Sequence, residues 1–185
     1  MKLDFQAKFL QHLNKRRKQD EGFTLIELLV VIIIIGILAA IALPSLLSQV
    51  NKGKQAEAKQ NVGALNRAQQ AYYLEQNTFV TDTTSLSALG VGIKTQTVNY
   101  QYTLAGDPST APQFASNKAE AYNSKTLKSY VGLNGTLTGD PVTSEVLTIG
   151  FVCESNAPVQ TVPAGVGTET ACENLGNFKT LGGSK

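Results

Sequence analysis

A single carboxylate, Glu27, stands at the head of the run Leu28–Leu43, which contains no charged or polar side chain. Two chemistries are open to it. In Thr24-x-x-Glu27 it can close a capping box, where Thr24 accepts from the amide of Glu27 and the carboxylate reaches back. In lipid, a charged side chain costs about 2.5–3.5 kcal/mol at the centre of the bilayer and less near its ends. There the carboxylate calls for a partner. The membrane setting favours a partner over a cap alone, and the two roles can alternate.

The remaining chemistry-bearing residues are few. The only histidine is His12, ahead of the apolar run. Beyond it the chain cannot run a Ser-His-Asp or Cys-His mechanism, nor the common His-based metal chemistry. A structural zinc site needs four ligands, which the two cysteines Cys153 and Cys172 do not supply. No spacing of carboxylates, or of Ser with Lys, points to catalysis. The expectation is a protein that is not an enzyme and needs no cofactor or metal.

The element that positions Glu27 is a helix. As a helix, Phe23–Leu43 is roughly 30 Å long, enough to cross the hydrocarbon of a bilayer. Before it the segment Met1–Gly22 carries Lys2, Lys8, Lys15, Arg16, Arg17 and Lys18 against Asp4, Asp20 and Glu21. Six bases beside a span hold the N-terminus in the cytoplasm and place everything after Pro44 outside. On that oxidising side Cys153 and Cys172 are expected to form a disulfide rather than two separate buried thiols. For a loop of this length a disulfide contributes about 3 kcal/mol in the chain-entropy model. An ordinary export signal, cut beyond the run near Ala39-Ala40 or Ala42, is the competing account. It leaves the string Gly22-Phe23-Thr24-Leu25-Ile26-Glu27 unexplained.

That string, with a charged leader before it and an apolar run after it, resembles the start of a type IV pilin or a related pseudopilin. The resemblance implies cleavage after Gly22 by a membrane peptidase that also methylates the new amine of Phe23. It places Glu27 where the family has its glutamate, and Gly36 and Pro44 where many members have a helix-loosening glycine and proline. The chain departs from the commonest pattern at Glu21, often a basic residue, and in the length of its leader. The strings Ala68-Gln69-Gln70-Ala71-Tyr72-Tyr73, Ser85–Gly90 and Tyr100-Gln101-Tyr102 look most like cyanobacterial pilins. A C-terminal disulfide loop that is an exposed, variable surface is also implied.

Removing the leader's six bases and three acids from totals of 16 and 14 leaves ten bases and eleven acids. No dense basic face argues for nucleic-acid binding, although a filament could build one by repetition. The helical pattern continues past Pro44, where a bend or local melting is expected. Ala58, Val62, Leu65, Ala68 and Tyr72 recur at three- and four-residue steps, with Lys52, Lys59, Gln60, Arg67 and Gln70 on the other side. One long helix, 23–76, is thus expected, its first half bare and its second half packed. Asn77–Thr97 reads as a loop, with a helical turn at Ser85–Gly90. Val98–Leu104, Ser129–Leu133 and Glu145–Cys153 read as strands, and Asn134-Gly135 as a hairpin turn. Beyond Cys153 the chain turns loop-like.

The expected fold class is α+β. A leader (1–22) precedes the long helix (23–76, membrane part 23–43), and an antiparallel head with a disulfide-tied C-terminal loop follows (77–185). The six tyrosines could form a stacking platform, but core packing across a sheet and under a helix is the preferred reading. Asn134-Gly135-Thr136 is a formal glycosylation sequon to which little weight attaches. Lys52, Lys54 and Lys59 could touch lipid headgroups or solvate a helix face, the second being favoured.

The resemblance implies a structural subunit held in the inner membrane as a precursor and extracted into a homo-oligomeric helical filament. The partners implied are the prepilin peptidase and methyltransferase and an ATP-driven pilus assembly machinery. The pilus would serve motility, adhesion or DNA uptake, with nucleic acid met only through the filament. Two alternatives are a type II secretion pseudopilin, which a C-terminal calcium site would favour, and a membrane-anchored extracytoplasmic binding module that never polymerises.

Overall fold

The computed structural model describes residues 22–107, 109, 113–138, 146–158, 162 and 172–181. The basic leader before Gly22 and much of the Pro- and Gly-rich stretch ahead of Cys172 lie outside them. Helix α1 runs Leu25–Gln76. It stays helical through Gly36, Pro44, Gly53 and Gly63, so the local melting expected at Pro44 is absent. It ends at Asn77, which takes a left-handed φ of 56° and donates its amide to the Tyr73 carbonyl at 2.8 Å. Asparagine is among the few side chains that tolerate this conformation. The chain divides into two compact units after Leu47.

In the first unit every large apolar side chain from Leu25 to Leu47 is exposed. In the second, Ala58, Val62 and Leu65 of α1 are fully buried, and Ala68 and Tyr72 pack partly buried beside them. The expected stripe is therefore the packing face. It lies on a five-stranded sheet of β1 (Tyr100–Asp107), β2 (Phe114–Ala121), β3 (Tyr130–Thr138), β4 (Val146–Ser155) and β5 (Phe178–Thr180). Neighbours in the sheet are neighbours in sequence, and every pair is antiparallel. Between α1 and β1 a 3-10 helix, Thr83–Leu89, is capped by Asp82, which accepts from the Thr84 amide, and closes on Gly90 at φ 66°. Only glycine adopts that φ without strain.

The sheet has two covered faces. Tyr100, Tyr102, Ala119, Ala121 and Tyr130 point to α1 and, with Leu86, Leu89 and Leu127, form the main core. Tyr100, Tyr102 and Tyr130 are all 0% exposed, so core packing is their role. Burial pushes the hydroxyls of Tyr100 and Tyr130 far above the usual phenol range. On the other face Val131, Leu133 and Cys153 pack with Val162, Cys172, Leu175 and Phe178 in a second core. Cys153 and Cys172 are joined in the expected disulfide. The C-terminal region is thus more than the exposed loop that was expected, since its described apolar side chains are a layer of the interior.

Three sequence readings are corrected. Asn134-Gly135 is no turn: it lies mid-strand in β3, opposite Gly150 and Ile149 of β4. The Asn134 amide is buried, which also removes the sequon from the surface. Strand β5 replaces a segment that read as loop, and β2 occupies one to which the sequence assigned no element. Lys59 and Gln70, placed on the outer side of α1, both reach the sheet. Lys59 lies 2.9 Å from Glu154 and 5.5 Å above the Tyr130 ring, and Gln70 abuts Gly150.

Candidate functional site

The N-terminal end of α1 holds the residues singled out from sequence. Gly22 and Phe23 precede the helix and are exposed. Glu27 Oε2 accepts from the Thr24 amide at 2.9 Å and from Thr24 Oγ1 at 2.7 Å. The Glu27 amide donates to Thr24 Oγ1 at 3.3 Å. In the single chain the carboxylate therefore closes the capping box. Around it stand Phe23 (87% exposed) and Ile26 (67%), and an unbroken apolar surface follows from Leu28 to Leu43. The most apolar 18-residue window of α1 is 0% buried and meets the length and composition needed to cross a membrane. No other described helix does so. A cylinder of this composition must be covered by lipid or by other apolar helices.

In the second unit two polar clusters fix α1 on the sheet, and neither was apparent from sequence. Asn66 donates to the Phe151 carbonyl at 2.9 Å and accepts from Asn117 at 2.8 Å and Asn134 at 3.1 Å. Gln69 clasps the backbone of Val80 in both directions, at 2.6 and 2.9 Å, and donates to Asn117 at 3.2 Å. These buried amides tie α1 to β2, β3, β4 and the chain after α1. Gly132 makes the approach possible: a Cβ there would overlap Asn66 Oδ1 and stand 2.8 Å from Val62 Cγ1.

The second cluster surrounds Glu154, which pairs with Lys59 at 2.9 Å and Lys128 at 2.8 Å, while Lys179 stands 3.9 Å away. Burial opposes its charge, but the hydrogen bonds from Lys128 and then Lys59 outweigh burial and hold the carboxyl below its ordinary range. Among the described residues no group of three His, Cys, Asp or Glu side chains gathers as a metal site. The reactive geometry is at the bare end of α1.

Comparison with known proteins supplies the class. Residues 55–175 match the family model described as type IV pilin-like G and H. Residues 17–43 match the prokaryotic N-terminal methylation motif. A fimbrial protein, EcpC of Eikenella corrodens, is 33% identical over 156 residues, covering 80% of this chain and 91% of that protein. The chain belongs to the type IV pilin family.

Two further relatives align through shorter segments. The type IV major pilin protein PilA of Myxococcus xanthus is 48% identical over 61 residues, 33% of this chain and 28% of that protein. The type II secretion system core protein G of Aeromonas hydrophila is 38% identical over 74 residues, 40% of this chain and 52% of that protein. The match thus spans little more than a quarter of the one and about half of the other. No solved structure matches the chain. The family is one of structural subunits and not of enzymes. Its methylation motif implies a membrane-anchored precursor, a prepilin peptidase and assembly into a filament. These relatives do not bear on the cyanobacterial likeness.

Proposed function

We propose that the chain is the subunit of a type IV pilus. It is cut after Gly22, methylated at Phe23, held in the inner membrane with its N-terminus cytoplasmic, and extracted into an extracellular filament. The observation that carries this reading is the bare first half of α1, whose 18-residue apolar window is 0% buried. Identical helices leave lipid only by burying those surfaces on one another. The exposed, non-helical Gly22–Phe23 junction suits a peptidase acting at the membrane face. Gly36 and Pro44 are the positions at which α1 would yield during extraction.

Glu27 is the assembly residue. Once the leader is gone, Phe23 carries a cationic amine four residues before Glu27. A modest axial stagger brings the amine of one copy to the carboxylate of the next, giving register and direction where an unpaired charge would be costly. The capping box satisfies Glu27 until that partner arrives. Glu27→Ala and Glu27→Gln should keep export and membrane insertion while lowering the ratio of surface filament to membrane pool. Normal filament yield from Glu27→Ala as the sole pilin would leave Glu27 a cap and nothing more. Terminal mass analysis of sheared filaments should find methylated Phe23; an N-terminus at Met1 or beyond Ala42 overturns the processing.

The alignment with type II secretion core protein G favours a second reading, a pseudopilin whose filament stays short. Electron microscopy of sheared filaments separates the two by length.

A further inference from the structure

Among the described residues, six lysines gather at one end of the second unit. Lys52 and Lys54 lie on α1 just beyond Ser48, where that unit begins. Within the next two turns the Tyr130 hydroxyl donates to Gln55 at 3.4 Å, and Asn99 donates to Glu57 at 3.4 Å. Asn99 also accepts from the Tyr122 amide at 3.1 Å. These contacts bring the connection between β2 and β3, with Lys125 and Lys128, beside this stretch of the helix. Strand β4 supplies Glu154 to the same end, where Lys59 and Lys128 pair with it, and β5 supplies Lys179.

The charge of this end is unbalanced. The described carboxylates that share it are Glu57, Glu120 and Glu154, and Glu120 is engaged by the Val162 amide at 3.0 Å. Six cations against three carboxylates leave an excess of three. The other described charged side chains of the second unit cancel: Arg67, Lys94 and Lys118 stand against Glu75, Asp82 and Asp107. The whole excess is therefore carried at one end. Lys52 and Lys125 present it to solvent, as does Lys179, whose side chain is 60% exposed and 3.9 Å from a carboxylate already shared by two other lysines.

We propose that this end of the second unit lies on anionic phospholipid headgroups while the subunit is held in the membrane, with Lys52, Lys125 and Lys179 meeting the phosphates. The chain reaches this end directly from the apolar run, so the anchor that enters the bilayer also keeps these lysines near its surface. Tethering makes the contact intramolecular in effect and raises the local concentration of lysines at the headgroups. Each lysine near an anionic surface favours contact about fivefold, and the attraction fades within a Debye length. Extraction must then break this contact as well as move the apolar run. The inference rests on the membrane-held precursor proposed above and does not need the filament.

The mature chain with Thr126→Cys, exposed in the same connection and labelled with a fluorescent donor while the disulfide stays oxidised, tests it. One labelled chain is placed in each bilayer nanodisc, with a headgroup-labelled lipid as acceptor. Energy transfer should be higher in discs of phosphatidylcholine with phosphatidylglycerol than in phosphatidylcholine alone. At about 1 M salt, where the Debye length is about 3 Å, it should fall to the neutral value. Lys52→Gln, Lys125→Gln and Lys179→Gln together leave the Glu154 pairs with Lys59 and Lys128 in place. That triple variant should lose contact on the order of a hundredfold and give the neutral value in anionic discs. Arg67→Gln with Lys94→Gln removes charge elsewhere and should change nothing. Equal transfer in the two lipids, a difference that survives salt, or an equal loss from the Arg67 and Lys94 variant overturns the proposal. A chain that does not co-purify with the discs would count against the membrane reading itself and would take the proposal with it.

Discussion

Asn66→Ala removes the side chain on which the helix and three strands converge. Asn66 supplies one donor, to the Phe151 carbonyl, and one oxygen that takes the amides of Asn117 and Asn134. Truncation strands two amide donors and a carbonyl in a site where Asn66 is 6% exposed, Asn117 0% and Asn134 2%. A buried polar group left unpaired costs about 1–3 kcal/mol. The vacated space is polar and lined by three partners, so a water can enter and recover part of the loss. A net destabilisation of about 3 kcal/mol follows. With an m-value near 1.5 kcal/mol/M, this moves the urea midpoint down by about 2 M. The assay is tyrosine fluorescence of the mature chain in non-ionic detergent. Arg67→Ala, one residue on and exposed, should shift stability by no more than about 0.5 kcal/mol. Equal midpoints for the two variants would refute the claim that the amide cluster fastens the helix to the sheet.

Replacing both Cys153 and Cys172 by Ala should cost about 3 kcal/mol, read as a lower unfolding midpoint whose difference from the parent vanishes under reductant. Acid should also weaken the head through Glu154. Its folded pKa is depressed, so its contribution is present above the ordinary carboxylate range and is lost as pH falls through the folded value. Glu154→Gln should therefore flatten the decline in stability below about pH 4.5, measured as midpoint against pH; an unchanged slope would remove Glu154 from the acid response.

The long helix and its buried stripe were legible because residues 58–72 repeat at helical spacing and nothing in the sheet overrides it. The capping box and the strongest strand, β4, were legible for the same local reasons. Strand β2 was not. Phe-Ala-Ser-Asn-Lys-Ala-Glu-Ala lacks alternation because helix and C-terminal layer cover its two faces. Asn117 is satisfied under α1, while Ser116 and Lys118 are buried opposite. Asn134-Gly135 misled for a related reason. Its turn chemistry is real, but Asn134 is held by Asn66, and Gly135 leaves room for the Phe114 ring, where a Cβ would stand 2.7 Å from Phe114 Cδ1. Such demands come from the partner across the core and leave no periodic trace. Among the site residues, Glu27 was legible by its isolation in an apolar run. Glu154 was not, because its lysines come from three distant segments.

The sheet adds its strands in the order in which the chain supplies them, and this sets a timetable for its closure. Each new strand finds its neighbour already made, so the entropy of closing long loops is avoided until the end. The link between Cys153 and Cys172, separated by 19 residues, forms only once β4 and the turn of Cys172 have both emerged. Oxidation is thereby a finishing step. A subunit that carries the bond holds Cys172 against Val131 and Leu133 in the second core, so the bond itself records that the last layer has been laid.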